Sequence, residues 1–242
     1  MNSLLIVDLG LISYTDAYAL QQRIVAARKS HAIDDVLLLC QHTHVLTLGR
    51  NGKRENLLAS EHVLRQKGVE FHATNRGGDI TYHGPGQIVG YPILDLSLIK
   101  QDVHFYVRTL EEVMIRTGAD FGITAFRIPG KTGIWVDTTP AEEKLAAIGV
   151  HISRWVTSHG FAFNVSTDLR YFDLIVPCGI ADRKATSLEK LLNRSVTLDE
   201  VKPRLVHHFA ELFGRAAHTM SLNELSAALE KAATAESGVV RS

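Results

Sequence analysis

The sequence predicts an α+β fold, a mixed and largely antiparallel sheet with packed helices. Many short β-rich segments occur, and they are not regularly separated by long helices, which argues against a regular alternation of strand and helix. No internal repeat or low-complexity linker divides the 242 residues, and 45% of them are hydrophobic, enough for one sizeable core. We expect residues 1–215 to form a single domain and residues 216–242 a C-terminal helix and a disordered tail.

The predicted strands are apolar or alternating segments bounded by turn residues. They span residues 4–9, 36–41, 45–48, 70–75, 79–82, 87–96, 123–127, 133–137, 145–153 and 161–165. We interpret residues 153–160, which contain His159 and Gly160, as a hairpin connection.

Five helices are predicted where a capping residue precedes apolar positions at helical spacing. They begin at Thr15 or Asp16, Ser60 or Glu61, Asp102, Thr197 and Ser221. The last two follow the capping-box pattern, and we expect the last helix to end near Ala233. The residues after about Leu188 are expected to form a smaller helical lobe.

The composition restricts the class of partner. Twenty-six basic residues balance twenty-six acidic ones, so no global field favours nucleic acid or an anionic membrane. No apolar run is long enough to cross a bilayer, and the N-terminus lacks the pattern of a signal peptide. Two cysteines make no disulfide framework. We therefore expect a cytoplasmic protein that binds neither nucleic acid nor membrane.

The glycine-rich segment RGGDITYHGPGQ, residues 76–87, is poor core material but lets backbone approach a ligand closely. Its alternative interpretation is a mobile turn between two strands. Arg76, His83 and Gln87 would be available to hold polar groups. The segment is neither a dinucleotide fingerprint nor a P-loop, because no helix opens after it and no Gly-Lys-Ser/Thr follows.

Cys178 is the candidate nucleophile, since Pro177 and Gly179 predict an exposed turn around it. A free thiol has a pKa of about 8.5 and needs activation. An ammonium at ~4 Å from the thiolate would stabilise it by on the order of 4 kcal/mol at an effective dielectric of ~20. Lys144 and His159 are both candidate activators, and an inert thiol with a solvated lysine is the alternative. Cys40 follows a buried strand and is interpreted as a packing residue.

Twelve histidines raise the possibility of a metal site. No Cys/His set has the spacing of structural zinc, and His207 and His208 are adjacent on a helix, where neighbouring side chains diverge. We therefore expect no metal.

Several segments together resemble the octanoyltransferases of lipoate biosynthesis, the lipoyl/octanoyl-[acyl-carrier-protein]:protein transferases. They occur in that family's order and spacing over roughly residues 5–215: RGGDITYHGPGQ at 76–87, GKTGIWV at 130–136, KLAAIG at 144–149, HGFAFNV at 159–165 and PCGI at 177–180. The resemblance implies the fold of the biotin and lipoate protein ligases, with a catalytic domain at residues 1–215. Asp79 stands where the family more often has glutamine or a basic residue, which leaves its role open.

The same resemblance implies which residues form the site. It implies a catalytic dyad of Cys178 and Lys144. The implied substrate-binding residues are Arg76, Gly77, Gly78, Asp79, Ile80, Thr81, Tyr82, His83, Ala147, Ile148, Gly149, Gly160, Phe161 and Ala162.

The implied reaction carries an octanoyl group from octanoyl-acyl carrier protein to a lysine, through a thioester on Cys178 and without a cofactor. The acceptors would be the lipoyl domains of 2-oxoacid dehydrogenase complexes and the glycine cleavage H protein. Two alternatives remain: an ATP-dependent lipoate or biotin ligase on the same fold, and a non-catalytic module that binds acylated carrier or lipoyl domains.

Overall fold

The apolar and alternating segments of the chain form strands at nearly every predicted place. The computed structural model describes residues 3–176 and 184–239. The strands of this part of the chain are β1 (Ser3–Ile12), β2 (Asp35–His42), β3 (Val45–Leu48), β4 (Glu70–Ala73), β5 (Ile80–His83), β6 (Gln87–Ile93), β7 (Ala125–Ile128), β8 (Lys131–Thr138), β9 (Ala141–Ser153), β10 (Val156–Asn164) and β11 (Ala216–Thr219). The last of these, β11, is not predicted by the sequence.

Helices fill most of the intervening segments: α1 (Tyr14–Lys29), α2 (Glu61–Gln66), α3 (Val103–Ala119), α4 (Leu188–Leu192), α5 (Leu198–Leu212) and α6 (Leu222–Val239). The predicted caps of α3 and α5 are confirmed: Asp102 accepts from the backbone N–H of Phe105, and Thr197 forms a capping box. The predicted cap of α1 is wrong. Ser13 has the extended backbone of a cap, and its Oγ accepts from the N–H of Asp16.

Eight strands form one mixed sheet in the order β11-β1-β2-β6-β10-β9-β8-β7. Strand β1 runs parallel to β2 and to β11, and the other neighbouring pairs are antiparallel. The predicted α+β class with a mixed, largely antiparallel sheet is confirmed. Three strands form a second sheet in the order β4-β3-β5, which the sequence does not predict.

Helices cover both faces of the large sheet. On one face α3 packs with α5, and buried side chains such as Met114 and Phe209 belong to the same core. On the other face α1 packs with α6, where Ile24 and Leu225 are fully buried. Residues after Leu188 therefore pack on the main sheet instead of forming a separate lobe.

The small sheet has its own core and meets the chain that precedes Cys178. Ile80 and Tyr82 of β5 are buried with Leu174 and Ile175. An antiparallel bridge joins Ile175 to Leu57. The glycine-rich segment and the approach to Cys178 thus share one apolar cluster.

The interpretation of residues 153–160 as a hairpin connection is wrong. The turn between β9 and β10 needs only Arg154 and Trp155, whose φ angles are +52° and +63°. His159 and Gly160 lie inside β10. A Cβ at position 160 would overlap the carbonyl oxygen of Gly90 on β6, so the glycine permits close strand approach and does not mark a turn.

Within the described ranges, no helix is both long enough and apolar enough to span a membrane.

Candidate active site

A cavity of 340 Å³ opens between the glycine-rich segment, β9 and β10. The predicted residues that line it are Arg76, Gly78, Asp79, Ile80, Thr81, His83, Lys144, Ala147, Ile148, Gly149, Gly160, Phe161 and Ala162. Cys178 lies outside the described residues. The chain on both sides of it borders the same cavity, since Phe172, Lys184 and Ala185 are lining residues.

Two predicted substrate-binding residues do not line the cavity. Gly77 donates its backbone N–H to the carbonyl oxygen of Val150 at 2.9 Å, which fastens the glycine-rich segment to the edge of β9. Tyr82 is fully buried in the cluster beneath the small sheet, and its ring stacks on that of Tyr171 at 5.0 Å. The neighbouring residues Thr81 and His83 line the cavity, whereas the Tyr82 side chain packs into that cluster.

Further lining residues are ones to which the sequence analysis assigns no individual role. Lys131, Thr132 and Trp135 come from the GKTGIWV segment, and Asn164 from HGFAFNV, so the motifs themselves held a signal. Gly130 also begins GKTGIWV, and nothing local marks the remaining ones, which are Tyr14, Val89, Tyr91, Phe172, Lys184 and Ala185. Gln87 and His159, named above for their chemistry, also line the cavity.

Lys144 lies at one end of the cavity, which we call the lysine end together with Trp135 and Ala185. Its Nζ is 4.6 Å from the centroid of the Trp135 ring. Its backbone N–H donates to the carbonyl oxygen of Lys184, and its carbonyl oxygen accepts from the N–H of Thr186, both at 2.9 Å. The chain that follows Cys178 is therefore hydrogen-bonded to Lys144 itself.

His159 marks the opposite end of the cavity, which we call the histidine end together with its partner Asn75. His159 pairs with Val150 across the sheet, six residues along β9 from Lys144. At ~3.3 Å per residue, this places His159 roughly 20 Å from Lys144 along the strand. The two candidate activators of Cys178 are thus far apart, and the segment that follows the cysteine is bonded at the lysine end.

His159 is poorly suited to hold a proton. Its Nε2 lies 2.6 Å from Asn75 Oδ1, and its side chain is almost fully buried. Burial, together with the nearby charge of Arg76 and the ring of His151, lowers the pKa of His159 to about 3. Its backbone φ of +54° is unusual inside a strand.

His83 is neutral for the same reason and forms part of a buried amide network. Burial, with His42 and Arg76 nearby, lowers its pKa to about 3. Gln87 donates through Nε2 to Asn164 Oδ1 at 2.9 Å and to the Tyr82 carbonyl at 3.2 Å. Its Oε1 must therefore face His83 Nδ1, at 2.8 Å, and that nitrogen carries the ring proton.

Arg76 braces the site through protein groups. Its guanidinium donates to the carbonyl and hydroxyl oxygens of Thr47 and to the carbonyl oxygen of Gly77. Arg76 is therefore less available for a ligand than the sequence predicts, because much of its hydrogen-bonding capacity is used on Thr47 and Gly77. It still contributes positive charge to the cavity.

The described lining residues carry four basic side chains and one carboxylate. The bases are Arg76, Lys131, Lys144 and Lys184, and the acid is Asp79. A cationic cavity stabilises thiolates and the oxyanions of acyl transfer. The arrangement suits nucleophilic chemistry at the lysine end.

A possible metal-ligand group lies elsewhere. Ligand atoms of His207, His208 and Glu211 are within 4.8 Å of one another on α5, so the expectation that the two histidines diverge is wrong. Glu211 is also paired with Arg116, and His208 with Asp120. None of these residues lines the cavity.

Comparisons with known proteins agree with this geometry. The family model of the lipoyl protein ligase A/B catalytic domain matches residues 13–210. Proteins named octanoyltransferase from Solibacter usitatus (strain Ellin6076) and Koribacter versatilis (strain Ellin345) are 56% and 51% identical to the chain. The alignments cover 85% and 91% of this chain, and 91% and 88% of the relatives.

A solved structure shares the fold. It is the bi-partite lipoate protein ligase from Thermoplasma acidophilum, with a TM-score of 0.73 and 16% sequence identity. The superposition covers 96% of this chain and 91% of that one. The predicted lipoate protein ligase fold is confirmed. The chain belongs to the octanoyltransferase family and is an acyltransferase on the lipoyl protein ligase A/B catalytic domain.

Proposed function

We propose that this chain transfers an octanoyl group from octanoyl-acyl carrier protein to a lysine of lipoyl domains, through a thioester on Cys178. The observation that carries the proposal is the pair of hydrogen bonds between the Lys144 backbone and residues 184 and 186. Cys178 precedes Lys184 by only six residues in the sequence. The segment that follows the thiol by six to eight residues is therefore hydrogen-bonded to the lysine that would activate it.

The lining of the cavity suits an acyl chain. Ile80, Val89, Ile148, Phe161 and Ala162 supply apolar surface. Burial of a methylene group contributes about 0.8 kcal/mol, so an eight-carbon chain gains several kcal/mol from such a lining. A volume of 340 Å³ falls within the range of small-molecule sites.

In the first step the Cys178 thiolate attacks the carbonyl carbon of the donor thioester. A new carbon–sulfur bond forms, the bond to the carrier's thiol breaks, and that thiol leaves as a thiolate. One thioester replaces another, so the step is nearly isoenergetic. The Lys144 ammonium would stabilise the Cys178 thiolate beforehand and protonate the departing carrier thiolate.

In the second step a lysine amine of the acceptor attacks the acyl-enzyme. The amide bond forms, Cys178 leaves as a thiolate, and neutral Lys144 takes the proton that the amine loses. An amide is much more stable than a thioester, which makes this step downhill. It also returns Lys144 to its ammonium form, ready for the next donor.

The proposed acceptors are the lipoyl domains of 2-oxoacid dehydrogenase complexes and the glycine cleavage H protein. Support comes from membership of the octanoyltransferase family. The proposed reaction consumes no nucleotide, because the donor is already an activated thioester.

The test is intact-mass spectrometry of the chain after incubation with octanoyl-acyl carrier protein and no ATP. We expect an adduct of one octanoyl group, which a lipoyl domain then discharges as an octanoyl-lysine amide. Cys178→Ala should abolish the adduct. Cys40→Ala is the matched control and should retain it, because Cys40 is fully buried and burial raises the pKa of its thiol.

Two outcomes would replace the proposal. ATP-dependent transfer that survives Cys178→Ala would indicate a ligase. Tight binding of acylated carrier or lipoyl domain without an adduct or turnover would indicate a binding module.

A further inference from the structure

We propose that Asp79 and Gln87 are positioning residues that hold the two flanks of residues 177–183, each through an asparagine. The inference rests on the proposed role of Cys178. Both residues belong to the glycine-rich segment, and Asp79 is the one at which the chain departs from the family pattern, so that the role of its side chain is left open. Both act on described parts of the chain, Val176 on one side and Thr186 on the other.

The first relay runs from Asp79 through Asn56 to Val176. Asn56 Nδ2 donates to Asp79 Oδ2 at 2.5 Å. The carbonyl oxygen of Asn56 accepts from the backbone N–H of Val176 at 2.8 Å. Val176 is two residues before Cys178, so the Asp79 carboxylate is two hydrogen bonds from the chain that enters the cysteine segment.

A carboxylate suits this place because it must accept twice. Its other oxygen, Oδ1, accepts from the backbone N–H of Ile80 at 2.7 Å. An asparagine here would offer one acceptor, and its NH₂ group would face the NH₂ group of Asn56. The pairing with Asn56 therefore selects aspartate.

The second relay runs from Gln87 through Asn164 to Thr186. Gln87 Nε2 donates to Asn164 Oδ1, and Asn164 Nδ2 donates to the carbonyl oxygen of Thr186, both at 2.9 Å. Gln87 and Asn164 are 1% and 4% exposed, so these amides have no water to replace a lost partner. The N–H of Thr186 donates to the carbonyl oxygen of Lys144, which brings the proposed activator into the same network.

The two relays share a common origin. The glycine-rich segment lines the cavity, and its residues Asp79 and Gln87 connect through asparagines to the chain before and after the cysteine. Acyl transfer is sensitive to placement, since an error of about 1 Å at a reacting group can cost on the order of 10²-fold in rate. Loss of a relay should therefore slow chemistry more than it weakens donor binding.

The experiment uses the full chain with Asp79→Asn, Asn56→Asp and the double variant that exchanges the two side chains. Single-turnover acylation by octanoyl-acyl carrier protein gives the rate and the half-saturating donor concentration. The pH dependence of iodoacetamide alkylation gives the apparent pKa of the Cys178 thiol. Asp199→Asn, whose side chain is 95% exposed, is the matched control.

We expect Asp79→Asn to slow acylation roughly 10- to 100-fold with little change in half-saturation, and to raise the apparent thiol pKa. The exchange variant should recover most of the rate, because the amide and the carboxylate again face each other. The same acylation assay with Gln87→Glu should show a similar loss, since a carboxylate cannot donate to Asn164.

Wild-type rates in Asp79→Asn would overturn the first relay, and wild-type rates in Gln87→Glu the second, while leaving the proposed function standing. So would a slowing that the exchange does not relieve and that leaves the thiol pKa unchanged, which is the signature of general destabilisation. Failure of the wild-type chain to form an adduct at Cys178 is a different result, which overturns the proposed function itself.

Discussion

At the lysine end of the cavity, the Lys144 ammonium lies 4.6 Å from the centroid of the Trp135 ring, and its backbone binds the chain that follows the cysteine segment. At the histidine end, His159 is buried against Asn75, and its pKa is lowered to about 3. Both ends carry a residue type able to activate a thiol. Their surroundings give them opposite properties.

The difference shows that the surroundings of a side chain decide its electrostatic properties, even for two residues that line the same cavity. The Nζ of Lys144 lies over the face of the Trp135 ring, a place that favours a cation. A histidine stripped of water stays neutral and contributes ring surface and a fixed hydrogen bond. The proposed function places the chemistry at the lysine end and leaves substrate binding to the histidine end, and each prediction below tests this assignment.

The largest effect on the rate of acylation is expected when each of the two candidate activators is replaced in turn by alanine. Lys144→Ala should slow formation of the acyl-enzyme by on the order of 10² to 10⁴, because it removes the proposed proton-transfer group. His159→Ala should cost far less, since a ring with a pKa near 3 is a weak base and takes up no second proton at neutral pH. Rapid-quench acylation measures both rates.

Lys231→Ala is the control for the first experiment, because Lys231 is exposed on α6. The opposite ranking, with His159→Ala the slower enzyme, would assign the chemistry to the histidine end.

An intermediate effect is expected on stability as the pH falls. Folded His159 and His83 stay neutral down to about pH 3, whereas in the unfolded chain they bind protons near pH 6.5. The unfolded state therefore gains stability below pH 6.5, by roughly 2 kcal/mol per histidine at pH 5. His159→Gln should lose less stability than the wild type between pH 7.5 and pH 5.

Urea denaturation at the two pH values measures this difference. His62→Gln, at an exposed position of α2, should behave as the wild type. An unchanged pH dependence in His159→Gln would show that the histidine end is not held neutral by burial.

The smallest effect is expected from the ring beneath Lys144. A cation over an aromatic face gains about 0.5–2 kcal/mol, so Trp135→Leu should slow acylation roughly 3- to 10-fold and Trp135→Phe less. The matched control is Trp155→Leu, in the turn at the other end of β9. Equal slowing by Trp135→Leu and Trp155→Leu would show that the contact between Lys144 and the Trp135 ring makes no specific contribution to the rate.

Much of this architecture can be predicted from local sequence, because the signals are local. Asp102 and Thr197 cap their helices as predicted, since a cap needs only a side-chain oxygen and an N–H three residues later. The hairpin at residues 154–155 escapes prediction because Arg154 and Trp155 adopt positive φ without glycine. Strand β11 cannot be predicted because its four exposed residues show no alternation of apolar and polar side chains. It is recognised as a strand only by its pairing with β1.

The sequence by itself determined the α+β class, the glycine-rich segment as a place of close backbone approach, and the family resemblance that names Lys144 and Cys178. Only the tertiary structure separated Lys144 from His159 and sent Tyr82 into a core instead of the cavity. It also joined Asp79 to Val176 through Asn56. The physical reason is that burial, charge and hydrogen-bond partners come from residues distant in the chain, and these set what each side chain does.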